Sequence, residues 1–66
     1  DAALVDLNAA DQSSLETLPG VGPATAQAIL AHLAQNGPFT RLEDLLEVRG
    51  IGPAKLELIR PYATVG

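Results

Sequence analysis

A chain of 66 residues forms a single domain with a small core, because so short a polymer buries only about 60% of its unfolded surface. No cysteine and one histidine, His32, exclude a disulfide framework, a thiolate metal site and a histidine cluster, while eleven Leu and eleven Ala against two aromatics, Phe39 and Tyr62, favour an all-α fold. The net charge of −4 argues against a broadly basic surface, but all four cations lie beyond residue 40, so any local positive field belongs to the second half.

The start at Asp1-Ala2-Ala3, without an initiator Met, suits a piece of a longer protein, and no apolar run approaches the roughly 20 residues that cross a bilayer. Val5-Asp6-Leu7-Asn8 reads as a short extended lead that packs through Leu7. Asp11 is placed to cap a helix of about residues 12–18, with Leu15 and Leu18 on its buried edge, and Pro19-Gly20 ends it. A second helix runs from Gly22 or Pro23 to about Gln35, with Ala26, Ile29, Leu30 and Leu33 on one apolar stripe and Pro23 at its first turn. Asn36-Gly37-Pro38 stops it, and Phe39 is expected to plug the gap that follows.

Thr40-Arg41-Leu42-Glu43 fits a capping box, opening a third helix over about residues 41–47 with Leu42, Leu45 and Leu46 inward. A fourth helix runs from Pro53 to about Ile59, buried through Leu56 and Ile59, and Pro61 ends it. The organisation is therefore one unit over about 11–35, a linker over 36–40 and a second unit over about 41–61. An offset of 30 residues superposes Leu15 to Ile29 on Leu45 to Ile59, with identities at Leu15/Leu45, Gly20/Gly50, Gly22/Gly52, Pro23/Pro53, Ala24/Ala54 and Ile29/Ile59. Neither copy can bury its apolar stripe alone, which predicts a compact domain of four short helices with a pseudo-twofold repeat.

In Gly20-Val21-Gly22-Pro23 and Gly50-Ile51-Gly52-Pro53, paired glycines allow a sharp, bare turn and the residue between them can pin it to the core. A helix begins immediately beyond, so amide groups without intrahelical partners point outward with the positive end of the helix dipole. Pro23 and Pro53 carry no N–H, so the expected donors are Gly22, Ala24 and Thr25 in one hairpin and Gly52, Ala54 and Lys55 in the other. The inferred ligand is a backbone phosphate, and two such sites gripping both strands of a duplex would read phosphate spacing without sequence preference. Arg49, Lys55 and Arg60 are the candidate flanking cations, which makes the second hairpin the expected leader.

With Leu7-Asn8-Ala9-Ala10, Leu15 through Pro23, Asn36-Gly37-Pro38-Phe39, Glu43-Asp44-Leu45 and Val48 through Pro53, the chain resembles the ComEA-like tandem helix-hairpin-helix domains of bacterial competence. That resemblance implies a membrane-tethered receptor on the extracytoplasmic face, binding double-stranded DNA and passing it to uptake machinery through segments outside this stretch. It also implies a monovalent cation held on hairpin carbonyls. Where relatives carry a cation after the first hairpin and an aromatic-basic pair late in the next helix, this chain has Thr25, His32 and Leu33, with His32 contributing charge only when protonated.

No enzyme activity, cofactor, small-molecule substrate or side-chain metal site is expected, because the sequence holds no catalytic constellation; Glu43, Asp44 and Glu47 read as a solvated face. Two alternatives stay open: a structural or protein-docking domain that kept the fold and lost DNA, and a DNA-holding accessory part of a repair or nuclease enzyme.

Overall fold

A computed structural model describes residues 4–65; the start at Asp1-Ala2-Ala3 lies outside the described residues. The order is β1 (Val5–Asp6), α1 (Gln12–Leu15), α2 (Pro23–Asn36), a 3₁₀ helix (Leu42–Glu47), α3 (Pro53–Ile59), a second 3₁₀ turn (Arg60–Tyr62) and β2 (Ala63–Thr64). The fold is helical, as composition implies, with one addition: β1 and β2 pair in parallel, Val5 with Ala63 and Asp6 with Thr64, and so tie the two ends together. Among the described residues no helix is long and apolar enough to cross a membrane.

The repeat is visible in the core. Leu15 and Leu45, Leu18 and Val48, Val21 and Ile51, Ala26 and Leu56, and Ile29 and Ile59 are all buried, and each pair occupies equivalent positions of the two units. Burying each Leu or Ile contributes about 1.5–3 kcal/mol, and the duplication supplies that stabilisation twice from a short chain. Leu7 joins this core, Phe39 is 3% exposed in the linker position expected for it, and Leu30 and Leu33 cover the edge.

Local chemistry sets the element ends. Asp11 accepts the Ser14 amide at 2.9 Å, which caps α1. The helix is shorter than the expected 12–18, because Thr17 and Leu18 donate to Ser14 and Leu15 in tighter i−3 turns while the Thr17 hydroxyl competes for the Ser14 carbonyl at 2.6 Å. Pro19 then disfavours helical geometry at Leu18. Gly37, at φ +81°, terminates α2 by donating to Leu33.

The third helix departs from expectation in two ways. It is 3₁₀, with three residues per turn, so Leu42, Leu45 and Val48 form one inward row and Leu46 is left 43% exposed. The cap is also different: Thr40 donates its amide and hydroxyl to Asp44, at 3.1 and 2.9 Å, and Glu43 is released to Arg60. Asn8 clasps the whole arrangement. Its side chain donates to the carbonyls of Phe39 and Val65 and accepts the Phe39 amide at 2.7 Å, joining the lead, the linker and the chain end.

Candidate nucleic-acid interface

The two hairpins have the same backbone path. Gly20 and Gly50 take φ of +78° and +95°, the left-handed turn that side chains disfavour. Gly22 and Gly52 are extended instead, at φ −99° and −107°, and a Cβ at either would meet nothing within 4 Å. The paired glycines therefore act separately: the first makes the turn, and the second leaves open space in front of the helix start. Between them Val21 and Ile51 are each 5% exposed and donate their amides to Leu18 and Val48, so each loop is anchored by side chain and backbone together.

Pro23 and Pro53 open α2 and α3 at the first turn. The amides of Gly22, Ala24 and Thr25, and of Gly52, Ala54 and Lys55, donate to no partner among the described residues; the first inward bonds of the two helices come from Ala26 and Leu56. Gly22 and Ala24 are exposed, as is Ala54, while Gly52 is half-buried. The arrangement presents two sets of free N–H groups at helix starts, each able to accept an anion. The carbonyls of Pro19, Gly20 and Val21 accept no backbone amide among the described residues, nor do those of Arg49, Gly50 and Ile51.

The cations are distributed unequally. Arg60 lies between Glu43, at 3.1 Å, and Glu57, at 3.2 Å, and these bonds raise its pKa. Glu43 is held below the ordinary carboxylate range by its own backbone amide and by Arg60. Arg41 sits 3.6 Å from Asp44, whose pKa is lowered chiefly by the Thr40 amide and hydroxyl. Arg49, exposed, and Lys55, half-buried, form no ion pair among the described residues.

Three side chains take positions that the sequence alone does not reveal. Lys55 leaves its own hairpin: a Cβ at Gly20 would lie 3.3, 3.4 and 3.5 Å from Lys55 Cε, Cγ and Cδ, so its stem crosses the first hairpin. Thr25 makes the reciprocal approach, its hydroxyl 3.4 Å from where a Gly50 Cβ would stand. The repeat alignment pairs Thr25 with Lys55 but gives no sign of this exchange. His32 is half-buried and packs on the linker. Its ring stacks on Phe39 with centroids 5.0 Å apart and planes 8° from parallel, and Nε2 lies 3.7 Å from Glu47. Among the described residues no cluster of His, Asp and Glu has metal-binding geometry.

Residues 1–64 match the family model described as the helix-hairpin-helix motif. The chain is 43% identical over 63 residues to ComE operon protein 1 of Bacillus subtilis, an alignment covering 96% of this chain and 31% of that protein. It is 42% identical over 60 residues to a protein named deoxyribonuclease from Thioalkalivibrio, covering 91% of this chain and 16% of the relative. It is also 39% identical over 56 residues to the human endonuclease/exonuclease/phosphatase family domain-containing protein 1, covering 85% of this chain and 10% of the relative. The chain thus spans a third or less of the length of each of these relatives. With the family match running through both hairpins, the chain belongs to the helix-hairpin-helix family, in the ComEA-like tandem form.

Proposed function

We propose that this domain binds double-stranded DNA without sequence preference, seating one backbone phosphate on each hairpin, as the DNA-receptor part of a longer competence protein. The observation that carries this reading is the duplicated set of unpartnered amides at Gly22, Ala24 and Thr25 and at Gly52, Ala54 and Lys55, each beside a glycine whose open face admits a phosphate. Backbone donors and two cations reach phosphates and not base edges, which accounts for indifference to sequence. Similarity to ComE operon protein 1 supports a place in DNA uptake, on the extracytoplasmic face of the membrane and beside uptake machinery. The domain holds DNA and leaves any chemistry to other parts.

Titration with unrelated duplexes at several salt concentrations tests the reading. With Arg49 and Lys55 as the side-chain contacts and Arg60 tied to carboxylates, log K against log salt should fall with a slope of about −2, equal for every sequence. No binding at low salt, or a salt-independent constant, rejects it. A second reading, the same DNA-holding role within a longer nuclease, is favoured by the two nuclease-named relatives that align over most of this chain. The sequence of the complete protein separates the two, through the presence or absence of a catalytic domain.

A further inference from the structure

The first forty residues contain no Lys or Arg, so the hairpin at Gly20-Val21-Gly22-Pro23 has no cation of its own. We propose that Lys55, from the second unit, is the phosphate-binding cation of the first hairpin, which makes that site a composite of both repeats. The inference rests on the reading that the hairpins hold phosphates, and it assigns Lys55 between them.

The argument is geometric. Three successive carbons of the Lys55 stem lie 3.3–3.5 Å from the Cβ position of Gly20, so the side chain runs along that glycine instead of outward from α3. The ammonium is one bond beyond the Cε that makes the closest of these approaches, which confines it to the rim of the first hairpin. No carboxylate among the described residues takes it there. Lys55 is half-buried as a residue, and a lysine laid along a surface ordinarily buries its stem and keeps its charged end in solvent.

The exchange is reciprocal, which separates it from a chance rotamer. Thr25 and Lys55 are equivalent under the repeat, and each approaches the left-handed glycine of the opposite unit, Thr25 at Gly50 and Lys55 at Gly20. The second hairpin therefore receives only a neutral hydroxyl by this route, but the exposed Arg49 directly precedes its first glycine in the chain. Each hairpin thus adjoins one cation, the first by packing of Lys55 and the second by the position of Arg49 in the chain, although both belong to the second unit. α2, the helix behind the first hairpin, has 14 residues against seven in α3, so the hairpin without its own cation also has the longer helix.

Double-mutant cycles on DNA affinity at low salt test the assignment. Lys55→Met keeps the stem and removes the charge, while Gly22→Ala and Gly52→Ala each obstruct one hairpin; circular dichroism confirms that each variant retains the wild-type helix content. The expected result is that Lys55→Met with Gly22→Ala loses at least about threefold less affinity than the product of the two single losses, whereas Lys55→Met with Gly52→Ala gives the product. Coupling to Gly52→Ala instead, or to neither, overturns the assignment of Lys55 while leaving DNA binding intact. A wild-type domain that does not bind duplex DNA overturns the functional reading itself, and the assignment with it.

Discussion

Gly20 and Gly22 stand two positions apart and lack side chains for different reasons. Gly20 holds φ +78° with the Lys55 stem against it, so Gly20→Ala forces a left-handed alanine and displaces that stem. The cost is about 1–2 kcal/mol, which in a domain this small lowers the melting temperature by roughly 4–16 °C. Gly22 is extended and faces open space, so a methyl there fits. Loss of a favourable N-cap glycine is offset by reduced freedom of the unfolded chain, and Gly22→Ala should melt within a few degrees of wild type. Its methyl nevertheless occupies the open face through which, on the proposed reading, a phosphate would approach the amides. Melting curves and DNA titrations of both variants check the pair: Gly22→Ala should separate binding from stability, and wild-type affinity in that variant would show that the open face is not used.

Among the elements, α2 and α3 were readable from sequence because each carries its own signals, a proline in the first turn and apolar residues at helical spacing. The third helix was only partly readable. Leu42, Leu45 and Leu46 suit one face of an α-helix, and nothing local states that the segment winds at three residues per turn, which turns Leu46 outward. The Thr40 cap was recognisable, but its partner depends on that same winding, so Asp44 takes the place expected of Glu43. The hairpin amides were legible because they follow from Gly-x-Gly-Pro alone, whereas the Lys55 crossing depends on how the two units pack. The clasp at Asn8 was not legible either, since its partners lie 31 and 57 residues away. Asn8→Ala leaves both the amide and the carbonyl of Phe39 without these partners, at a cost of about 2–3 kcal/mol. Chemical denaturation should show that loss, with Asn8→Asp intermediate because it keeps the acceptor for the Phe39 amide; equal stability of all three proteins would mean that the clasp holds nothing.

At the scale of the whole molecule, the net charge of −4 conceals an ordered distribution. Two of the four cations are engaged by carboxylates, Arg41 by Asp44 and Arg60 by Glu43 and Glu57, and the remaining two, Arg49 and Lys55, stand at the hairpins. Several carboxylates meanwhile act within the fold. Asp11 is held below the ordinary carboxylate range by the Ser14 amide and Asp44 by Thr40, and Glu43 is lowered by its own amide and Arg60. A carboxyl whose folded pKa lies below its unfolded value stabilises fully above the unfolded value, near pH 4–4.5, and loses that contribution as pH falls through the folded value. These three groups therefore leave stability unchanged between about pH 7 and 5 and withdraw it below about pH 4. The triple variant Asp11→Asn, Glu43→Gln, Asp44→Asn should have a lower urea midpoint than wild type at pH 7, and the two should converge as pH falls below 4, because protonation makes wild type resemble the variant. Midpoints that differ by the same amount at every pH would place the acid sensitivity of this fold elsewhere.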